Sequence, residues 1–287
     1  IAAALDRRRA RGDGLSTART EADEVEFLSG VYEGHTTGTA VTLMIRNLNT
    51  RSGDYAKTAG LLRPGHADFT AHAKYEGWQD ARGGGHFSGR LTAASVAAGA
   101  LCETVLRQLG VQVCTHIAAC AGVEDAPLSS AAGLALPEPA PGHFALLDPG
   151  REAAMQEAIR AAGRDGDSVG GILETIVTGL PAGIGEPWFD SVESELAHLM
   201  FSIPACKGLE FGAGFRFAGM RGSEANDPFT MRDGRVVTAT NRNGGVNGGI
   251  TNGMPLVFRT VIKPTPSIYK EQHTVDYAAR RDALLQI

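Results

Sequence analysis

Aromatic residues are scarce, at 6%, and only four cysteines, Cys102, Cys114, Cys120 and Cys206, occur in 287 residues. Four thiols at this length make no disulfide framework, so free thiols in a reducing compartment are expected. No apolar run approaches the roughly 20 residues of a membrane span, and no segment reads as a signal peptide; a cytoplasmic location is the default expectation. A net charge of −5 and a pI near 5.9 argue against a general nucleic-acid binder. Walker A, Gly-x-Ser-x-Gly and His-Glu-x-x-His motifs are all missing, which removes the direct support for a P-loop, an α/β-hydrolase or a zinc peptidase. Cys114, His116 and Cys120 follow no zinc spacing, and the pair His66 and His72 lacks a third ligand, so no metal site is expected. The chain has no initiator Met. It opens on what reads as the end of a helix and closes without a stop signal, so we expect a single domain, residues 1–287, incomplete at both ends.

Glycine, by contrast, is abundant at 37 residues, well above the usual share of about 7%. Many tight turns, or backbone lying close to a ligand, are expected. Residues 63–90 concentrate this chemistry: His66 between Gly65 and Asp68, the triple glycine Gly83, Gly84 and Gly85, and Arg63, Arg82 and Arg90, just before an Ala-rich apolar run. A glycine-rich loop running into a helix start suits an anion, because the first helical turn has free N–H groups. The alternative is a loop that merely needs positive φ. His66 could be a tuned acid or base, or a loop histidine held by Asp68. Lys263, Pro264, Thr265, Pro266 and Ser267 form a stiff turn that could hold a phosphate or a flavin edge, or simply leave a strand.

Periodicity predicts a helix over residues 1–9, strands around residues 25–31 and 40–45 as a hairpin with a wide loop, and a helix over 91–109. The apolar face of that helix is expected at Leu91, Ala94, Ala98, Leu101, Val105 and Leu109. A strand is expected at 111–121, a loop at 137–150, and a helix over 151–162 ending at Gly163. A strand at 171–180, a helix over 191–201 and strands at 209–220, 235–240 and 256–262 follow, the last two separated by the glycine-dense residues 241–253. Hairpin-like neighbours without long parallel repeats imply an α+β chain with antiparallel sheets and helices packed on them.

Taken together, these pieces resemble the chorismate synthase family. RPGHADFTAHAKY resembles the family's RPGHADYTxxxKY, and RGGGHFSGRLTAASVAAGA its RGGGRSSARETAxRVAAGA. LDRRRARGDGLSTARTEADEVEFLSGVYEGHTTGT upstream is similar to the family's early segment. GDSVGGILETIVTGLPAGIGEPWFD, FSIPACKGLEFGAGF, MRGSEANDPF and TNRNGGVNGGITNGMPLVFRTVIKPTPSI follow downstream in family order.

The resemblance implies a lyase converting 5-enolpyruvylshikimate 3-phosphate to chorismate and phosphate by anti-1,4 elimination, with reduced FMN (FMNH2) and no net redox change. It implies a β-α-β sandwich of antiparallel sheets around helices, a homotetramer, and, in some members, NADPH as reductant. His66 falls on the family's proton donor. Arg63 and Arg90 fall among the arginines that gather the substrate's charges. Arg8 falls on a basic position that meets anionic groups, NADP included. Flavin contacts fall on His86, Phe87, Ser88, Pro204, Ala205, Gly248 and Lys263, Pro264, Thr265, Pro266 and Ser267. The sequence departs from the family at His86 and Phe87 (Arg and Ser in the family), at Leu91, Ser95 and Pro204, and at Gly14, where a second NADP-associated Arg is common. The family's FGESHG and GRHDP blocks lie outside the chain, so the polypeptide as given is expected to be inactive or nearly so. The alternative from another class is a catalytically silent flavin- or phosphate-binding fragment or paralogue.

Overall fold

The computed structural model describes residues 1–10, 12–16, 22–48, 60–80, 85–128 and 144–286. In chain order the elements begin with α1 (Ala2–Arg8), β1 (Val25–Ser29), β2 (Val31–Tyr32), β3 (His35–Thr36), β4 (Thr42–Ile45), α2 (Asp68–Lys74) and α3 (Thr92–Gln108). Next come β5 (Gln112–Cys120), β6 (Val123–Glu124), α4 (Glu152–Arg164), β7 (Gly171–Thr178), α5 (Val192–Phe201), β8 (Cys206–Phe211) and α6 (Gly222–Ala225). The last are β9 (Phe229–Arg232), β10 (Arg235–Thr238), β11 (Val246–Asn247), β12 (Ile250–Thr251), β13 (Leu256–Ile262), β14 (Gln272–Asp276) and β15 (Arg281–Leu285). Two compact units emerge. The first holds Ile1–Leu101, Ile159–Ser168 and Pro264–Ile287; the second holds Cys102–Ala158 and Val169–Lys263. The expected α+β class with antiparallel pairing is what the chain forms.

In the second unit β13 is the organising strand. It pairs antiparallel with β7 on one side and β8 on the other, within the sheet order β6-β5-β7-β13-β8. Its run Leu256, Val257 and Phe258 is buried throughout, as a strand covered on both faces must be. Side chains alternate between the faces. Leu256 and Phe258 join Val246 in a cluster packed by Val192, Leu196 and Met200 of α5. Val257 points the other way, onto Cys114 and Ile176. Each fully buried aliphatic side chain of this kind contributes about 1.5–3 kcal/mol. Helix α5 starts where it does because Ser191 caps it, its hydroxyl accepting from the Ser194 amide at 3.0 Å.

The Val257 face also carries a row of charges. His116 of β5 stands opposite Glu174 of β7, Glu174 opposite Arg259 of β13, and Arg259 opposite Glu210 of β8. His116 Nε2 lies 3.1 Å from Glu174, and Arg259 Nη2 lies 2.5 Å from Glu210. Asp125 closes the row, 2.8 Å from His116 Nδ1.

In the first unit β1 pairs with β4, and the wide connection between them contains the small β2–β3 hairpin. Gly30 is obligatory beside it: a Cβ there would stand 2.5 Å from the Ala40 carbonyl. Among the described residues, Leu5 of α1 and Leu285 of β15 are the large apolar side chains buried here.

Several expectations are corrected. Helix α4 runs through Gly163 to Arg164, and the positive φ that marks its end belongs to Gly166, because a glycine inside a helix weakens it without stopping it. Residues 209–220 are not one strand: β8 ends at Phe211 and a 3-10 turn spans Gly214–Gly219. The buried face of α3 is Ala93 and Ala97, whereas Leu91, Val105 and Leu109 are exposed. With alanine on every side of that helix, periodicity does not single out one face. Elements α2, β9, β14 and β15 were not expected. Part of the expected 137–150 loop lies outside the described residues, as do Arg82, Gly83 and Gly84 of the glycine loop.

Candidate active site

The first unit presents the RPGHAD segment as a tight turn tied to β14. The Leu62 amide donates to the Val275 carbonyl at 3.1 Å, and the Thr274 hydroxyl donates to the Leu62 carbonyl. Pro64 and Gly65 (φ +70°) then form the centre of a β-turn closed by His66 N–H donating to Arg63 C=O at 3.2 Å. Proline at the second position and a positive-φ glycine at the third are what a type II turn needs. The turn folds His66 back over Arg63, and Asp68, the first residue of α2, completes the cluster.

Asp68 accepts three hydrogen bonds from Arg63 and meets the His66 ring. Oδ2 takes the Arg63 amide at 2.9 Å and Nε at 2.8 Å; Oδ1 takes Arg63 Nη2 at 2.7 Å and faces His66 Nδ1 at 2.9 Å. Burial opposes the charge on Asp68, but the bonds from Arg63 and His66 outweigh it and hold the carboxyl well below the usual range. All three side chains are mostly buried, with His66 15% exposed.

His86 and Phe87 sit in an exposed 3-10 turn, Gly85–Phe87. A second turn, Gly89–Leu91, is capped by Ser88, whose hydroxyl accepts from the Arg90 amide at 3.2 Å. Arg90 Nη2 donates to Asn47 Oδ1 at 2.7 Å. Arg8 grips this second turn from α1. Its Nη2 donates to the Gly89 and Arg90 carbonyls at 3.3 and 3.2 Å, its Nε to Thr92 Oγ1 at 3.2 Å, and its Nη1 to Asp23 at 2.8 Å. Arg8 is therefore engaged by the protein itself. Thr265 is held through its carbonyl, which accepts from the Ser168 hydroxyl at 2.7 Å.

The second unit places Pro204 and Ala205 in another tight turn, closed by the Cys206 amide on the Ile203 carbonyl at 3.2 Å. Ala205 takes φ +69°, where glycine is usual, and its carbonyl accepts from the Lys263 amide at 2.9 Å. The β8–β13 edge thus brings Ala205 and Lys263 together. Gly248 forms the tip of the β11–β12 hairpin with Gly249, at φ +60° and +87°. Two successive positive φ values make this a type I′ turn. A Cβ on Gly248 would meet open space, so backbone is offered to whatever lies beside it. Asp227 pins the loop leading there, accepting from the amides of Arg242 and Asn243 at 2.8 Å each.

Sequence reading gave His116 no role. Both its ring nitrogens face carboxylates, so neither is open to a metal. Its signal would have been an imidazole at an inward strand position, alongside Cys114.

The sequence pattern of the family described as chorismate synthase matches residues 1–287. The chain belongs to the chorismate synthase family. It is 48% identical over 264 residues to the chorismate synthase of Thermococcus gammatolerans, covering 91% of this chain and 72% of that one. It is 46% identical over 283 residues to that of Methanosarcina mazei, covering 99% and 77%, and 49% identical over 272 residues to that of Chitinophaga pinensis, covering 95% and 72%. A solved chorismate synthase crystal structure superposes with a TM-score of 0.72 at 29% identity, over 91% of this chain and 74% of that one. Family membership carries the lyase role in chorismate formation, a small-molecule substrate and a place in aromatic amino-acid biosynthesis. Among the described residues no helix is long and apolar enough to cross a membrane.

Proposed function

We propose that the reaction this chain's site serves is the anti-1,4 elimination of phosphate from 5-enolpyruvylshikimate 3-phosphate, giving chorismate, with reduced FMN. The observation that supports this best is the turn holding Arg63, His66 and Asp68 as one unit. In this reading His66 is the proton donor, and Arg63 meets an oxyanion of the substrate through Nη1, since Nε and Nη2 are engaged by Asp68. Arg90 meets a second anionic group. Arg8 holds the Gly89–Arg90 turn from below, so NADP is not assigned to it.

Each unit by itself offers groups that suit a flavin. In the second, Gly248 leaves open space at its Cβ position and Lys263 is a cation; in the first, Ser88, Thr265 and Ser267 carry hydroxyls. His86, Phe87, Pro204, Ala205, Pro264 and Pro266 complete the proposed contacts. These residues would hold reduced FMN, which would lend transient electron density to the departure of phosphate with no net redox change. The chain's own groups bind and orient the anions and hold the proton. The exposed apolar side chains Phe229, Met231 and Val236 on the β9–β10 hairpin support the homotetramer.

A second reading, a silent flavin or phosphate binder, is favoured by the inward commitment of Arg8. Titration of reduced FMN with and without the substrate separates the two. Chorismate and phosphate in equal amounts, reduced about 10²–10⁴-fold by His66→Ala, are the expected result. Binding without product establishes the second reading.

A further inference from the structure

We infer that Asp68 is a positioning residue: it fixes the proton of neutral His66 on Nδ1, so that Nε2 is the atom that exchanges the catalytic proton. This rests on the proposed role of His66. An ionised carboxylate is an acceptor only, with about four lone-pair sites. Three are filled by Arg63: Oδ2 by the amide and Nε, Oδ1 by Nη2. The fourth, on Oδ1, is left to the ring nitrogen 2.9 Å away.

One tautomer fills every acceptor site of the carboxylate. With the proton on Nδ1 the ring donates to Oδ1 and all four sites are filled. With the proton on Nε2, two lone pairs confront each other at 2.9 Å beside a guanidinium already directed at the carboxylate. Arg63 Nη2 has a second hydrogen, and Nδ1 lies 3.1 Å from it, but donation there would still leave the Nδ1 and Oδ1 lone pairs opposed at 2.9 Å. The type II turn sets the backbone, and Arg63 sets the carboxylate's rotamer. The ring plane follows from both, which is how a buried acid orients a histidine without itself accepting the proton.

The test is 15N NMR of the chain labelled at histidine, with the His66 signals assigned by their loss in His66→Gln, alongside turnover of Asp68→Asn and Asp68→Glu. In the wild-type chain above the ring's titration, Nδ1 should carry the proton. In Asp68→Asn the Nε2–H form should rise, and kcat should fall about 10²–10⁴-fold with KM little changed. Asp68→Glu should recover part of kcat. A wild-type spectrum with the proton on Nε2 overturns the inference, whether or not the variants fold, and so does an Asp68→Asn variant with unchanged tautomer and kcat. Turnover in His66→Gln equal to wild type would instead sink the proton-donor role, leaving the wild-type spectrum to decide the orientation by Asp68.

Discussion

His116 and Glu174 face each other across neighbouring strands β5 and β7, with Nε2 3.1 Å from the carboxylate, while Asp125 lies 2.8 Å from the opposite ring nitrogen. A ring that meets a carboxylate at each nitrogen donates from both, and is therefore an imidazolium. Burial disfavours that charge, but the bonds to Glu174 and Asp125 outweigh it and raise the His116 pKa above 6.5. The same bonds, with backbone amides, hold Asp125 and Glu174 below their ordinary values of 3.8 and 4.5 against their own burial.

The signs give a pH window for stability. The His116 contribution is fully present below 6.5 and is lost as pH rises through its raised folded value. The two carboxylate contributions are present above 3.8 and 4.5 and are lost as pH falls through their lowered values. Unfolding free energy should therefore fall on the alkaline side, and His116→Ala should remove about 3–5 kcal/mol near neutral pH by leaving buried Asp125 without a cation and Glu174 with Arg259 alone. Denaturant unfolding of both proteins across pH checks this; an unchanged alkaline slope in the variant would contradict it.

Gly248 and Gly249 should respond differently to alanine. A Cβ on Gly249 would lie 2.5 Å from the Glu186 carbonyl and 2.7 Å from Ser191 Cβ, so Gly249→Ala should lower Tm substantially. Gly248→Ala meets open space and carries only the left-handed penalty of about 1–2 kcal/mol, but it fills the region proposed for the flavin. Its Kd for reduced FMN should rise at least about tenfold, equivalent to 1.4 kcal/mol, with a modest change in Tm. Unaltered FMN affinity in a folded Gly248→Ala protein would remove Gly248 from the proposed site.

Arg8 reaches four partners with three nitrogens, which a lysine cannot do from one head group. Arg8→Lys should lower stability by about 1.5–3 kcal/mol and loosen the Gly89–Leu91 turn. Hydrogen exchange at the amides of Arg90, Leu91 and the first turn of α3 should accelerate. Protection equal to wild type there would mean that the carbonyl contacts contribute nothing to holding the turn.

What was legible in the sequence follows the range of the interactions. The central strands β7 and β13 were visible because β-branched, apolar runs have few other uses, and α5 because its apolar spacing is plain and Ser191 stands ready to cap it. His66 with Asp68 was visible because the partners are two residues apart. The Arg8 grip was not, since Thr92, Gly89 and Arg90 lie more than 80 residues away in sequence. Strand β9 was missed although Asp233 and Gly234 carry the type I′ signal, with φ +50° and +73°. Strands β14 and β15 were missed because their short burial patterns are mostly exposed or half-buried.

The row from His116 through Glu174 and Arg259 to Glu210 also governs how the sheet can assemble. Sliding β13 by one residue would carry Arg259 to the α5 face, among Leu196, Met200 and Phe211. Sliding it by two would keep the face but set Arg259 opposite Ile172 or Ile176 in place of Glu174. Either error strands a cation among apolar side chains and takes Arg259 away from Glu174, at a cost of several kcal/mol. Hydrophobic burial alone would tolerate such shifts in a strand reading Leu, Val, Phe. The charges therefore specify the register that apolar burial leaves open.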